Sequence, residues 1–189
     1  MKKLHVFDPK HIAVLESKDR KTWQNPEEIM KMLELKPSYV VADLGCGSGY
    51  FTVPISRKVK KVYAIDVQKE MLDFLEQKIQ TQKIENIEPL LSGKYKIPLE
   101  NESVDNLITI NTLHEFPDKN KTINEIRRIL KPEGHAVIID FKKEDTAIGP
   151  PVSIRVSQKE AKQLFEERGF TFVKSYELRY TYLMIFQRS

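Results

Sequence analysis

VVADLGCGSGYFT, from Val40 to Thr52, joins an apolar run to three glycines at alternate positions, Gly45, Gly47 and Gly49. Within the run stands one acid, Asp43. The pattern predicts a buried strand, a tight loop and an amphipathic helix from Tyr50 to about Arg57. Glycine at every second loop position removes Cβ atoms that would hold a ligand away from the backbone, and it permits the turn. The helix start offers unpaired N–H groups and a positive dipole end, which suit a carboxylate or phosphate. A nucleotide-containing cofactor is therefore expected across Gly45, Cys46, Gly47, Gly49 and Tyr50.

Spacing separates the candidate cofactors. In the dinucleotide pattern G-x-G-x-x-G begun at Gly45, the third glycine falls where Tyr50 stands. Asp43 would repel a pyrophosphate and attract an ammonium group. A ligand with an amino group, a carboxylate and an adenosine fits better than NAD, and S-adenosylmethionine is such a molecule. KKVYAIDV, Lys60 to Val67, reads as a second strand ending in Asp66, which lies 21 residues after Gly45. About 20 is the spacing of a ribose-binding acid, and its two oxygens can accept from both hydroxyls of a vicinal diol.

VVADLGCGSGYFT and VYAIDVQKEML resemble the first two motifs of class I S-adenosylmethionine-dependent methyltransferases. DNLITINTLHEF and INEIRRILKPEGHAVIIDFK resemble the rest of that core. The likeness is greatest to the ubiquinone/menaquinone-type (type 11) small-molecule branch. It runs from Val40 to Phe141 and more loosely beyond. It implies S-adenosylmethionine as cofactor and S-adenosylhomocysteine as its product. The implied cofactor contacts are Asp43, the loop residues, Asp66, Val67, Met71, Ser92, Gly93 and Asn111. One departure concerns the adenine amino group, which an acid after strand three meets in many relatives. Here the stretch is LLSGKYKIP, so the Ser92 hydroxyl or a backbone carbonyl would have to substitute.

Composition narrows the class. The chain has 189 residues, enough for one domain with a sizeable core, and its 40% hydrophobic and 31% charged content is that of an ordinary soluble protein. No apolar run approaches the roughly 20 residues of a membrane span. No apolar stretch follows Met1-Lys2-Lys3, so no secretory signal is expected, and a cytoplasmic location is the default. Cys46 is the only cysteine, which excludes intrachain disulfides, cysteine-cluster metal sites and multi-cysteine arsenic chemistry. No metal is expected. The net charge of +4 mildly favours acidic partners. Its densest cluster, Arg57, Lys58, Lys60 and Lys61, is explained by a helix C-terminus, so nucleic acid is disfavoured.

Strands and helices alternate along the chain. Asp8-Pro9 predicts a helix to about Ser17, and Asn25-Pro26-Glu27-Glu28 another to about Leu35. Further strands are expected near Ile87–Leu91, Val104–Ile110 and His135–Phe141, and helices near Lys69–Thr81 and Lys119–Leu130. Pro132-Glu133-Gly134 reads as the turn into strand five. Ser157-x-x-Glu160 is a capping box for a helix that stops at Gly169. Phe170–Tyr176 and Tyr180–Phe186 alternate, which suggests an antiparallel pair. The expected architecture is a Rossmann-like, doubly wound, seven-stranded α/β sheet. It is mostly parallel with an antiparallel C-terminal hairpin, and helices lie on both faces. Asp43, Asp66, Ser92 and Asn111 should converge where strand order reverses.

Residues 1–38 lie outside this core of residues 39–189 and carry His5, Phe7, His11 and Trp23. They read either as a helical lid over the crevice or as a cap that shields a sheet edge. Ala147 to Val152, stiffened by Pro150 and Pro151, is a second candidate wall. Arg155 could meet an acidic acceptor or make a surface salt bridge. His114, in His114-Glu115-Phe116 after strand four, is a candidate base or a loop-stabilising group. Glu115 is a candidate catalytic residue beside it, or could instead bond the cofactor's amino group or cap the helix beyond. Asp140 is an acceptor contact or a structural carboxylate. Tyr180, Tyr182 and Phe186 share one strand face and read as core.

The expected reaction is in-line transfer of an activated methyl group to a small-molecule acceptor. A binding module without turnover, acting through a partner, is the alternative. Asn111-Thr112-Leu113-His114 stands where adenine and cytosine amino-methyltransferases carry Asn/Asp-Pro-Pro-aromatic, which disfavours that chemistry. Monomer and homodimer stay open.

Overall fold

The computed structural model describes Ile12 and residues 16–189. Most of the helix expected from Asp8, with His5, Phe7 and His11, lies outside the described residues. Strands β1 (Val40–Leu44), β2 (Lys61–Asp66), β3 (Ile87–Leu91), β4 (Val104–Ile110), β5 (Leu130–Phe141), β6 (Phe170–Glu177) and β7 (Thr181–Arg188) form one sheet in the order β3-β2-β1-β4-β5-β7-β6. The first five pair in parallel, while β7 runs antiparallel between β5 and β6. This is the expected Rossmann-like arrangement. Strand order reverses between β1 and β4, so a crevice opens beyond their carboxyl ends.

Alternation along the strands sends side chains to two cores. Val41, Val62, Ala64, Ile108, Leu183 and Ile185 pack on one face with Ile29, Ile55, Leu72 and Leu75. Those four come from α2 (Pro26–Met32), α3 (Thr52–Ser56) and α4 (Lys69–Gln82). Ala42, Leu107, Ile138, Met184 and Phe186 pack on the other with Ile123, Ile126 and Phe165. Those helical residues belong to α5 (Lys119–Ile129) and α6 (Gln158–Glu166). The short α1 (Lys18–Trp23) precedes them all.

Local chemistry sets the element ends. Asn25 accepts from the Glu27 N–H at 3.0 Å, with Pro26 in the first turn of α2. Ser157 and Glu160 form the expected capping box of α6, and Gly169 beyond it takes φ +75°. Two expectations need correction. The helix after the glycine loop spans only Thr52–Ser56, because residues 48–51 form turns rather than helix. Pro132-Glu133-Gly134 does not precede strand five but lies inside it. Leu130 already pairs with Val104, and the register shifts before Asn106 meets His135. Glu133 adopts φ +64°, and a Cβ on Gly134 would stand 2.8 Å from the Asp105 carbonyl oxygen. The segment is a bulge that only glycine fits.

Candidate functional site

The loop after β1 turns through positive φ at Gly45 (+76°), Gly47 (+52°) and Gly49 (+80°). Its first two N–H groups, on Gly45 and Cys46, donate to the Ile65 carbonyl at 2.8 and 3.1 Å, which ties it to the end of β2. Gly47 N–H donates to Asp66 Oδ2 at 2.9 Å, and Gln68 N–H donates to Asp66 Oδ1 at 2.9 Å. Both carboxylate oxygens are thereby aimed by backbone and keep further lone pairs. Burial raises the Asp66 pKa above its ordinary value, against those N–H donors. The missing Cβ atoms have protein neighbours. A Cβ at Gly45 would stand 2.5 Å from the Thr112 side chain, and one at Gly49 would stand 2.4 Å from Leu75 Cδ1. Gly49 therefore seats the loop on α4 and does not line the cavity beside it.

That cavity, of about 940 Å³, opens at the reversal point. Asp43, Gly45, Cys46, Gly47, Tyr50, Asp66, Val67, Met71, Ser92, Gly93 and Asn111 all line it, as do His114 and Glu115. The structure brings these candidate residues to one cavity. Asp43 is buried, and its Oδ2 accepts from the Thr52 hydroxyl at 2.6 Å. Desolvation pushes its pKa up to about 6, and nearby Asp66 adds to the rise.

Arg20 was not singled out in the sequence. It is only 8% exposed and lines the same end of the cavity. Its guanidinium lies 4.3 Å from the Tyr50 ring centroid and 5.4 Å from that of Phe51. Its Nε and Nη2 donate to Gln24 Oε1 at 3.2 and 3.1 Å. Burial lowers the Arg20 pKa to about 10, opposed by Tyr50, Glu16 and Asp43. Gln24 and Asn111 then exchange hydrogen bonds, Gln24 Nε2 to Asn111 Oδ1 at 3.1 Å and Asn111 Nδ2 to Gln24 Oε1 at 3.0 Å. Asn111 holds φ +56°, a conformation asparagine tolerates better than most residues. α1 is thus docked on the end of β4. Glu16 adds a second tie, accepting from the Ser48 hydroxyl and pairing with Lys78 Nζ at 2.7 Å.

On the far side of Asp66, Ser92 N–H donates to the Asp66 carbonyl at 2.8 Å. The Ser92 hydroxyl lies 2.9 Å from the Gly93 carbonyl and 3.1 Å from that of Lys96, so its proton stays within the loop. Glu125 steadies the loop's end, with Oε2 accepting from Ile97 N–H at 3.0 Å.

The other end of the cavity is apolar. Trp23 meets Phe141 with ring centroids 6.0 Å apart and Tyr180 at 6.1 Å, and Phe116, Ile148, Pro150 and Pro151 continue the wall. His114 sits in a short 3₁₀ turn, Leu113–Glu115, at its edge. Its Nδ1 lies 2.7 Å from Asp140 Oδ1, and its backbone N–H donates to Asp140 Oδ2 at 2.9 Å. Phe141 N–H gives Asp140 a third bond at 2.7 Å. Asp140 is fully buried and stays behind His114, so it is a structural carboxylate and not an acceptor contact. Glu115 Oε1 lies 3.9 Å from His114 Nε2.

Arg155 follows neither of its expected roles. It is buried, and its guanidinium donates to the carbonyls of Lys142, Glu144, Ile148 and Pro150 and to the Thr146 hydroxyl. It holds the 142–151 wall in shape from behind. Tyr182 and Phe186 are fully buried core residues, and the Tyr182 hydroxyl donates to the Val156 carbonyl at 2.9 Å. Tyr180 precedes β7 and packs on Trp23 instead. Among the described residues, no group of three His, Cys, Asp or Glu side chains is arranged to hold a metal ion, and no helix is long and apolar enough to cross a membrane.

Known proteins match this arrangement. Residues 35–174 fit the family model of a methyltransferase domain. The crystal structure of a SAM-dependent methyltransferase from Aquifex aeolicus superposes with a TM-score of 0.92 at 33% identity, over 97% of this chain and 100% of that one. Demethylmenaquinone methyltransferase of Bacillus mycoides is 26% identical over 87% of this chain and 68% of its own length. YcgJ of Bacillus subtilis, described as an uncharacterized methyltransferase, is 25% identical over 69% of this chain, which spans about half of YcgJ. With its sheet order, glycine loop and family match taken together, the chain belongs to the class I S-adenosylmethionine-dependent methyltransferases.

Proposed function

We propose that the protein binds S-adenosylmethionine across the glycine loop and transfers its methyl group to a small-molecule acceptor in the apolar half of the cavity. The observation that carries this is charge placement. A buried cation, Arg20, and a buried acid, Asp43, share one end of the cavity, which complements the carboxylate and ammonium of an amino acid. Asp66 stands next along, with both oxygens aimed, where a ribose diol would donate. Val67 and Met71 offer apolar surface to a base, and Ser92 and Gly93 offer acceptor atoms to its amino group. Asn111 positions the cap through Gln24.

The cofactor supplies a methyl group already activated on a sulfonium. The chain aligns that group with the acceptor, and orientation alone can lower a barrier by roughly 7–11 kcal/mol. His114, held by Asp140, takes the acceptor's proton, and Glu115 stands beside the imidazole. The described stretch of the 1–38 segment, residues 16–38, acts as a lid over the 39–189 core. Trp23 walls the acceptor half and Arg20 the cofactor half, so closure joins binding to water exclusion. A cytoplasmic metabolite enzyme fits this design.

Thermal unfolding tests the reading. A ligand at 100 times its dissociation constant stabilises by about 2.7 kcal/mol, which for a chain of this size raises the midpoint by about 5–10 °C. That shift is expected with S-adenosylmethionine and S-adenosylhomocysteine and absent with NAD. Protection by NAD alone would contradict it.

A further inference from the structure

We infer that the acceptor is a planar aromatic molecule with an acidic hydroxyl, whose oxygen receives the methyl group; this rests on the methyl-transfer reading above. Two features at one end of the cavity point there. The first is the wall. Trp23, Phe116, Phe141 and the rings of Pro150 and Pro151 present flat apolar surface, and Tyr180 backs Trp23. Such a wall gains from the face of an aromatic ring what it cannot gain from a polar chain.

The second is the polarity at its edge. Asp140 accepts three hydrogen bonds, from two backbone N–H groups and His114 Nδ1. A carboxylate only accepts, so Nδ1 carries the proton and the Nε2 lone pair is left to act. Glu115 Oε1 lies 3.9 Å from Nε2, so an imidazolium formed there stands between two acids. The neighbouring cation, Lys119, is half-buried, and its Nζ is 3.5 Å from the Phe116 carbonyl. A phenol, with a pKa of about 10, is acidic enough to yield that proton to an imidazole, whereas an aliphatic alcohol is not.

The step balances. The hydroxyl proton passes to Nε2. The oxygen's electron pair forms the O–CH₃ bond as the S–CH₃ bond breaks, and the latter's pair stays on sulfur. Neutral S-adenosylhomocysteine and a methyl ether result. The sulfonium charge is exchanged for that of the imidazolium, which returns its proton to solvent.

Trp23 is the only tryptophan in the chain, so its emission reports occupancy of this half. 4-Nitrophenol is a suitable probe because its anion has its own visible absorbance. It is titrated into the full chain loaded with S-adenosylhomocysteine, at a pH below the probe's own pKa. Saturable quenching of Trp23 is expected, together with growth of the anion absorbance. His114→Asn should keep the quenching and lose the anion signal. Trp23→Leu should weaken binding about three- to tenfold by calorimetry. Cyclohexanol should not compete. The inference is overturned if the loaded protein ignores 4-nitrophenol, if cyclohexanol competes equally, or if the anion signal survives in His114→Asn. Failure of S-adenosylhomocysteine to load would instead overturn the reading beneath it.

Discussion

Asp43 shows how burial sets a single residue against stability. Its carboxyl is buried beside Asp66, and its pKa rises from 3.8 to about 6. The folded protein therefore holds this proton more tightly than the unfolded chain does. The stability linked to it is fully present below about pH 4 and is lost as pH rises through 6, a loss of about 3 kcal/mol for a shift of roughly two units. Asp43→Asn retains an oxygen for the Thr52 hydroxyl and cannot ionise. Urea unfolding of the ligand-free variant should show higher stability than the parent at pH 7 and a flatter profile between pH 4 and 6. An unchanged profile would mean that ionisation of Asp43 carries no such cost. At this scale, types and spacing told much: Asp43, the glycines and Asp66 were legible because loop chemistry is local. Arg20 was not. Within KDRK it looks like any solvated charge, and its site depends on Gln24 reaching Asn111, 87 residues away.

Among the elements, the 142–151 segment depends most on one side chain. Arg155 donates to four carbonyls and a hydroxyl, which in turn compensate the burial of its guanidinium. Gly149 at φ +103° packs so close to Phe141 that a Cβ would stand 2.6 Å from its ring. Arg155→Met keeps much of the volume and removes every donor. We expect a loss of about 2–4 kcal/mol in chemical unfolding, with weaker retention of any acceptor-site ligand. A loss under about 0.5 kcal/mol would show that the wall holds without its clamp. Strands β3 and β4 follow the bounds read from the sequence, since apolar runs and turn residues mark them. The start of β5 does not, because Pro132-Glu133-Gly134 carries turn chemistry that a β-bulge uses equally well. Pairing with β4 settles which, and pairing is not written in a local window.

For the whole molecule, topology explains why so few residues make a site. The reversal between β1 and β4 opens the crevice, the loop after β1 and the end of β2 furnish one half, and β4, β5 and the 142–151 wall furnish the other. α1 spans both, with Arg20 on the first and Trp23 on the second. Fold class was legible because alternating strands and helices with right-handed crossovers allow few sheets. The division of the cavity into a charged and an aromatic half was not, since it arises from contacts between segments far apart in sequence.

The most direct measurement is calorimetric titration of S-adenosylhomocysteine into the full chain and into Asp66→Ala, both shown to be folded. One saturable site is expected in the parent, with affinity at least about tenfold weaker in the variant, the loss of a charge-assisted pair of hydrogen bonds. No saturable heat in the parent, or equal affinity in both proteins, would contradict the assignment of this cavity.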